Sequence, residues 1–319
     1  MNTLQTVITD FLRHCRFEKN LSDKTLKAYG IDLKQLMNFL IARNYVTDVI
    51  QISKVELREY LEYISTLKPR SIKRKIATIK ALFNYLEFED RVAINPFRKM
   101  RVKIRENKTV PSVMDMREIS KIFGVAYKRK NKAWNRDSYS YFECIRDIII
   151  VELLFATGAR VSEIAELKKD NINLFTGNIL IKGKGNKERI IQVCNQETIT
   201  ILKNYYELCN RSKKNGTGYF LVNRFGRKLS DQSIRNVVKK LSRRAGINRR
   251  ITPHVFRHSF ATLLLERDVD IKYIQSLLGH SSITTTQIYT HVNRLKQKKI
   301  LSSKHPRKDF CMSAEMNEG

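Results

Sequence analysis

Apolar residues recur at helical spacing from the start of the chain. Leu4, Val7, Ile8, Phe11 and Leu12 predict a helix over 4–17, which breaks at Asn20-Leu21-Ser22-Asp23 with Ser22 as an N-cap. Leu26, Tyr29, Leu33, Leu36 and Leu40 predict a second helix over 23–42, and a shorter third follows Ser53. Pro69 opens a fourth, whose stripe of Ile72, Ile76, Ile79, Phe83 and Leu86 leaves Lys73, Arg74, Lys75 and Lys80 off the core. Helical signals resume at 114–123. The stretch 127–142 lacks apolar periodicity and reads as a surface loop, and a buried helix follows over 144–155. Two β-rich runs, 178–182 and 187–193, flank Gly183-Lys184-Gly185-Asn186 and predict a hairpin. From 196 to 298 the pattern is again mostly helical.

The segment between Pro96 and Pro111, RKMRVKIRENK at its centre, is basic and poor in helical periodicity, as a linker following a phosphate backbone would be. The domain boundary is placed there: a helical domain over 1–97, a linker over 98–111, a second domain over 112–301 and a tail over 302–319. The fold class expected is mainly α with a small β-sheet, in a two-domain clamp. Leu295, Ile300 and Leu301 lie amid lysines, so the tail is either a docking segment for a neighbouring protomer or a frayed terminus, and 313–319 reads as disordered.

Charge narrows the function. The 319 residues carry 61 Lys and Arg against 31 Asp and Glu, a net charge of +30 shared between both halves of the chain. Such a surface repels itself unless a polyanion neutralises it, which points to nucleic acid. The cluster Lys73, Arg74, Lys75 and Lys80 is then either a solvated face or a DNA contact, and Arg101, Lys103, Lys182 and Lys187 are further phosphate-contact candidates. No apolar run approaches the roughly 18 to 20 residues of a spanning helix, so no membrane is expected. The N-terminus lacks the basic-then-apolar order of a secretory signal, and a cytoplasmic protein follows as an expectation. Five cysteines, odd in number and scattered, form neither a disulfide framework nor a Cys-x-x-Cys pair.

Several fragments carry chemistry: Ala156-Thr157-Gly158-Ala159-Arg160-Val161-Ser162-Glu163, Gly183-Lys184-Gly185-Asn186-Lys187-Glu188-Arg189, Thr252-Pro253-His254-Val255-Phe256-Arg257-His258, Leu278-Gly279-His280 and Tyr289-Thr290-His291. Planar guanidiniums at Arg160 and Arg257 match two nonbridging phosphate oxygens. Lys184, at a glycine-flanked turn, can deliver a proton. Glu163, one turn after Arg160, can hold that arginine or a histidine. His254 and His258 stand four residues apart, but no third ligand is evident and no metal site is assigned.

In their order and spacing these fragments resemble the tyrosine recombinases, or phage-integrase family, and within them the Xer-type proteins; the helical first hundred residues are similar to that family's core-binding domain. The resemblance implies a catalytic set of Arg160, Lys184, His254, Arg257, His280 and Tyr289. Tyr289, nine residues after His280 within a Thr-rich helix expected over 282–291, is the implied nucleophile; Glu163 and His291 are supporting. It implies site-specific cutting and rejoining of DNA through a 3′-phosphotyrosine and a Holliday junction, without cofactor or metal. The implied partners are paired duplex sites held by a homotetramer in the bacterial nucleoid, with a second recombinase or accessory factor left open. A type IB topoisomerase and a DNA-binding module with a decayed catalytic set are the alternatives.

Overall fold

The structure, a computed structural model, describes residues 3–45, 48–105, 112–131, 138–183, 188–211, 217–279 and 300–309. It divides into two compact units, Met1–Thr109 and Val110–Gly319.

The first unit is built from α1 (Leu4–Phe17), α2 (Asp23–Ala42), α3 (Lys54–Tyr63) and α4 (Pro69–Phe88). The last three begin where the sequence provides a start. Ser22 accepts from the Thr25 amide, Ser53 and Glu56 cap one another's backbone, and Pro69 stands at the first position of α4. Leu33, Leu36, Phe11, Leu82 and Phe83 meet in one buried core.

Two features differ from the expectation. Lys75 is not off the core: it is buried, with its ammonium 3.1 Å from Asp32 and also on Gln35. Asp32, fully buried on α2, further accepts from Arg74 and from the Thr78 hydroxyl. A buried carboxylate must be paired, and α4 turns Lys75 inward to pair it. The stretch after residue 97 is likewise not a free linker where it is described. Met100 is buried in this unit's core with Val102 and Ile104 packed against it, while Arg101, Lys103 and Arg105 alternate outward. The period is two, not 3.6.

The second unit is organised around α6 (Tyr139–Thr157), buried almost throughout and packed against α5 (Met116–Asn131), α8 (Gln196–Arg211), α9 (Asp231–Arg244) and α10 (Pro253–Leu265). The expected loop over 127–142 shrinks, because α5 continues to Asn131 and α6 begins at Tyr139. Tyr127 and Arg129 face inward here and find partners there. The Tyr127 hydroxyl donates to Glu152 at 2.6 Å, and Arg129 to Asp147 at 2.8 Å. The short helix α7 (Val161–Ala165) leads into an antiparallel sheet of β1 (Ile172–Asn173), β2 (Asn178–Lys182) and β3 (Glu188–Gln192), with Ile181 opposite Arg189. After α10 comes α11 (Ile271–Leu278).

Residues 300–308 pack on this same unit rather than forming a tail: Leu301 is buried, His305 lies against Phe155 and Phe260, and Arg307 is buried on Glu152. The helix expected over 282–291 and the terminal 313–319 lie outside the described residues. Among the described residues no cysteine is in a disulfide, and no helix is long and apolar enough to cross a membrane.

Candidate active site

α6 ends at Gly158, whose φ of 58° is left-handed and whose missing side chain is required, since a Cβ there would stand 2.5 Å from the Phe260 ring. The turn aims Arg160 out of the helix end. Glu163 folds back to accept from the Arg160 amide at 2.8 Å and from its Nη1 at 2.9 Å. α10 starts cleanly on the Thr252 cap with Pro253 behind it, and sets His254, Arg257 and His258 along one stretch of helix.

The arginines converge on the end of α11. Arg257 is 4% exposed, and donates from Nη1 to the Gly158 carbonyl at 2.9 Å and from Nη2 to the Leu278 carbonyl at 2.7 Å. Arg160 reaches the Gly279 carbonyl at 3.5 Å, and Arg189 donates its Nε to the Leu277 carbonyl at 2.8 Å. Three consecutive carbonyls at the negative end of a helix thus each accept from a different guanidinium, satisfying groups the helix itself cannot. His280 follows Gly279 in the sequence and lies outside the described residues.

Arg189 was not among the residues singled out from the sequence. It forks onto Glu163, Nη1 to Oε1 at 3.1 Å and Nη2 to Oε2 at 2.7 Å. A signal existed: Arg189 shares the inward strand face with Ile191, and a cation in that register needs a buried partner.

Electrostatics follow from the crowding. Burial raises the Glu163 carboxyl, but donors from Arg189 and Arg160 more than offset this and leave it below the ordinary range. Burial, then the repulsion of Arg160 and Arg189, pushes Arg257 down to about 10. Burial, then the repulsion of His258, Arg257, Arg160 and Arg235, pushes His254 below the usual imidazole value. His254 and His258 stack with ring centroids 5.6 Å apart, and among the described residues no third ligand makes them a metal group.

Of the remaining candidates, Lys184, Lys187, His280, Tyr289 and His291 lie outside the described residues. Lys182 is exposed and paired with Glu188 at 3.0 Å. Lys73, Arg101 and Lys103 are exposed, Arg74 is half-exposed on Asp32, and Lys80 lies over the Phe97 ring.

Residues 113–296 match the phage integrase family, and residues 8–90 match the phage integrase N-terminal SAM-like domain. The chain belongs to the phage integrase family. A tyrosine recombinase of Agathobacter rectalis is 45% identical over 97% of this chain and 99% of its own length. Tyrosine recombinase XerD of Listeria innocua is 33% identical over 95% of this chain and 100% of its own. In fold, the chain is similar to XerH site-specific recombinase solved on a palindromic difH substrate after cleavage, with a TM-score of 0.69 and 23% identity over 93% of this chain and 84% of that one. As a phage integrase, this protein is a site-specific DNA recombinase of the tyrosine type, mostly helical with a small sheet.

Proposed function

We propose that this integrase exchanges strands between paired duplex sites using Tyr289 as nucleophile and the Arg160–Arg257 pocket as the seat of the scissile phosphate. The observation that carries the reading is the convergence of both guanidiniums on the backbone that enters the His280–Tyr289 segment. A trigonal-bipyramidal phosphorane concentrates charge on two nonbridging oxygens, and guanidiniums already held in place stabilise that charge with little reorganisation.

In the step proposed, the Tyr289 hydroxyl oxygen attacks phosphorus while the bond to the 5′-oxygen breaks. A phenol with a pKa near ~10 must lose its proton, and neutral His254 accepts it. Lys184 gives a proton to the departing 5′-oxygen, and His280 hydrogen-bonds a nonbridging oxygen. Attack of another strand's 5′-hydroxyl on the 3′-phosphotyrosine reverses these steps, so bond energy is conserved and no nucleotide or cofactor is consumed. Glu163 holds Arg160, and His291 supports the pocket. Lys73, Arg101, Lys103, Lys182 and Lys187 contact backbone phosphates. Four copies act on two duplexes, in the bacterial cytoplasm where the nucleoid lies.

The test is strand exchange in EDTA between two labelled duplexes carrying the cognate site. Recombinant products with a Holliday-junction intermediate are expected. Relaxation of a single supercoiled plasmid with no exchange between sites would assign the chemistry to a topoisomerase instead.

A further inference from the structure

We infer that Arg189 is a positioning residue whose charge is spent on Glu163 so that Arg160 keeps its own for the DNA phosphate. This rests on reading Arg160 as a phosphate ligand. Glu163, with a side chain only 4% exposed, meets two guanidiniums of very different accessibility: Arg189 at 12% and Arg160 at 41%. The buried arginine takes both carboxylate oxygens, and the accessible one shares a single oxygen through Nη1. Arg160 therefore stays accessible, with Nη2 in only a long 3.5 Å contact to the Gly279 carbonyl. Arg160, Arg189 and Arg257 against one carboxylate leave two net positive charges in the pocket; removing Arg189 leaves one, with Glu163 free to engage Arg160 alone.

The same side chain is fixed from a second direction. Its Nε donates to the Leu277 carbonyl, and a Cβ built on Gly279 would stand 3.1 Å from its Nη1. Arg189 is thereby wedged between α7 and the end of α11, with its own backbone in β3. It ties three elements together at the point where the chain departs for the nucleophile.

The test compares cleavage of a nicked suicide duplex with the same duplex carrying a methylphosphonate at the scissile position, where a methyl group replaces one charged oxygen. Arg189→Met should slow cleavage of the natural phosphodiester by about 10- to 100-fold, the scale for loss of an outer partner that orients a ligating group, with a smaller change in DNA affinity. On the methylphosphonate most of that loss should vanish, because less charge then needs stabilising. Arg189→Lys should fall between wild type and Arg189→Met. The double variant Glu163→Gln/Arg189→Met restores two net charges and should cleave faster than Arg189→Met, which also decides the matter if the single variant folds poorly. Equal deficits on both substrates, or a double variant no faster than the single, would overturn the inference. Arg160→Ala is the control for the underlying reading: if it gains nothing on the methylphosphonate, Arg160 is not the phosphate ligand, whatever Arg189 does.

Discussion

Arg307 offers the sharpest perturbation of the fold that carries this site. Its side chain is 1% exposed, with Nη2 3.0 Å from Glu152 and 2.7 Å from Glu197, and Glu152 is fully buried. Glu152 also accepts from the Tyr127 hydroxyl at 2.6 Å and the Thr198 hydroxyl at 2.8 Å, so α5, α6, α8 and residues 300–308 meet on one carboxylate. Burial disfavours the Arg307 cation, yet Glu152 and Glu197 more than offset it and hold its pKa above the ordinary guanidinium value. Arg307→Ala strands a buried carboxylate, which costs about 3 to 5 kcal/mol. In a unit of this size each kcal/mol lowers Tm by about 2 to 4 °C, so a fall of roughly 6 to 20 °C is expected. Differential scanning calorimetry at pH 7.5 reads it directly. Arg307→Met/Glu152→Gln should be more stable than Arg307→Met, because the uncompensated charge is gone while a hydrogen-bonding amide remains. The reasoning is refuted if Arg307→Ala costs less than about 1 kcal/mol, or if the double variant is no better than the single.

Three further outcomes are expected. In the first unit, Asp32→Leu strands the buried Lys75 ammonium and should cost about 3 to 5 kcal/mol in urea unfolding, much of it recovered by adding Lys75→Met. Burial lowers His305 to about 4 in the folded state, so its contribution to stability is intact above ~6.5 and is lost as pH falls toward 4; about 2 kcal/mol should disappear between pH 7.5 and 5, and His305→Asn should flatten that slope in pH-dependent melts. His258→Gln removes one of the repulsions that, after burial, keep His254 low, so the acid limb of the cleavage rate should move to higher pH; an unmoved limb would detach His254 from proton transfer.

How much of this was legible in the sequence depends on what kind of residue carries the information. Apolar stripes mark α1 and α2 closely, because an amphipathic helix writes its period directly into the chain. Polar residues were misassigned wherever they face inward in pairs. Lys75 looked like a solvated lysine, although Asp32 within the apolar stripe of α2 already called for a buried cation. The 127–131 turn of α5 looked like a loop because Arg129 and Tyr127 find their partners, Asp147 and Glu152, on α6, about twenty residues on in sequence. Residues 98–105 look like linker in sequence, since a two-residue period of Val102 and Ile104 is too short to register beside the arginines and lysines. In the site, Arg160, Glu163 and Arg257 are visible as motif residues, and the convergence of the two arginines on α11 is not, since hydrogen bonds from side chains to distant carbonyls leave no pattern in a sequence.

The central claim is tested most directly by trapping the protein on a nicked duplex in EDTA and mapping the linkage by peptide mass spectrometry. The account predicts a single DNA-bearing peptide containing Tyr289, joined to a 3′-phosphate with a free 5′-hydroxyl on the released strand, and no adduct from Tyr289→Phe. An adduct on another residue, a 5′-linked product, or undiminished trapping by Tyr289→Phe would contradict it.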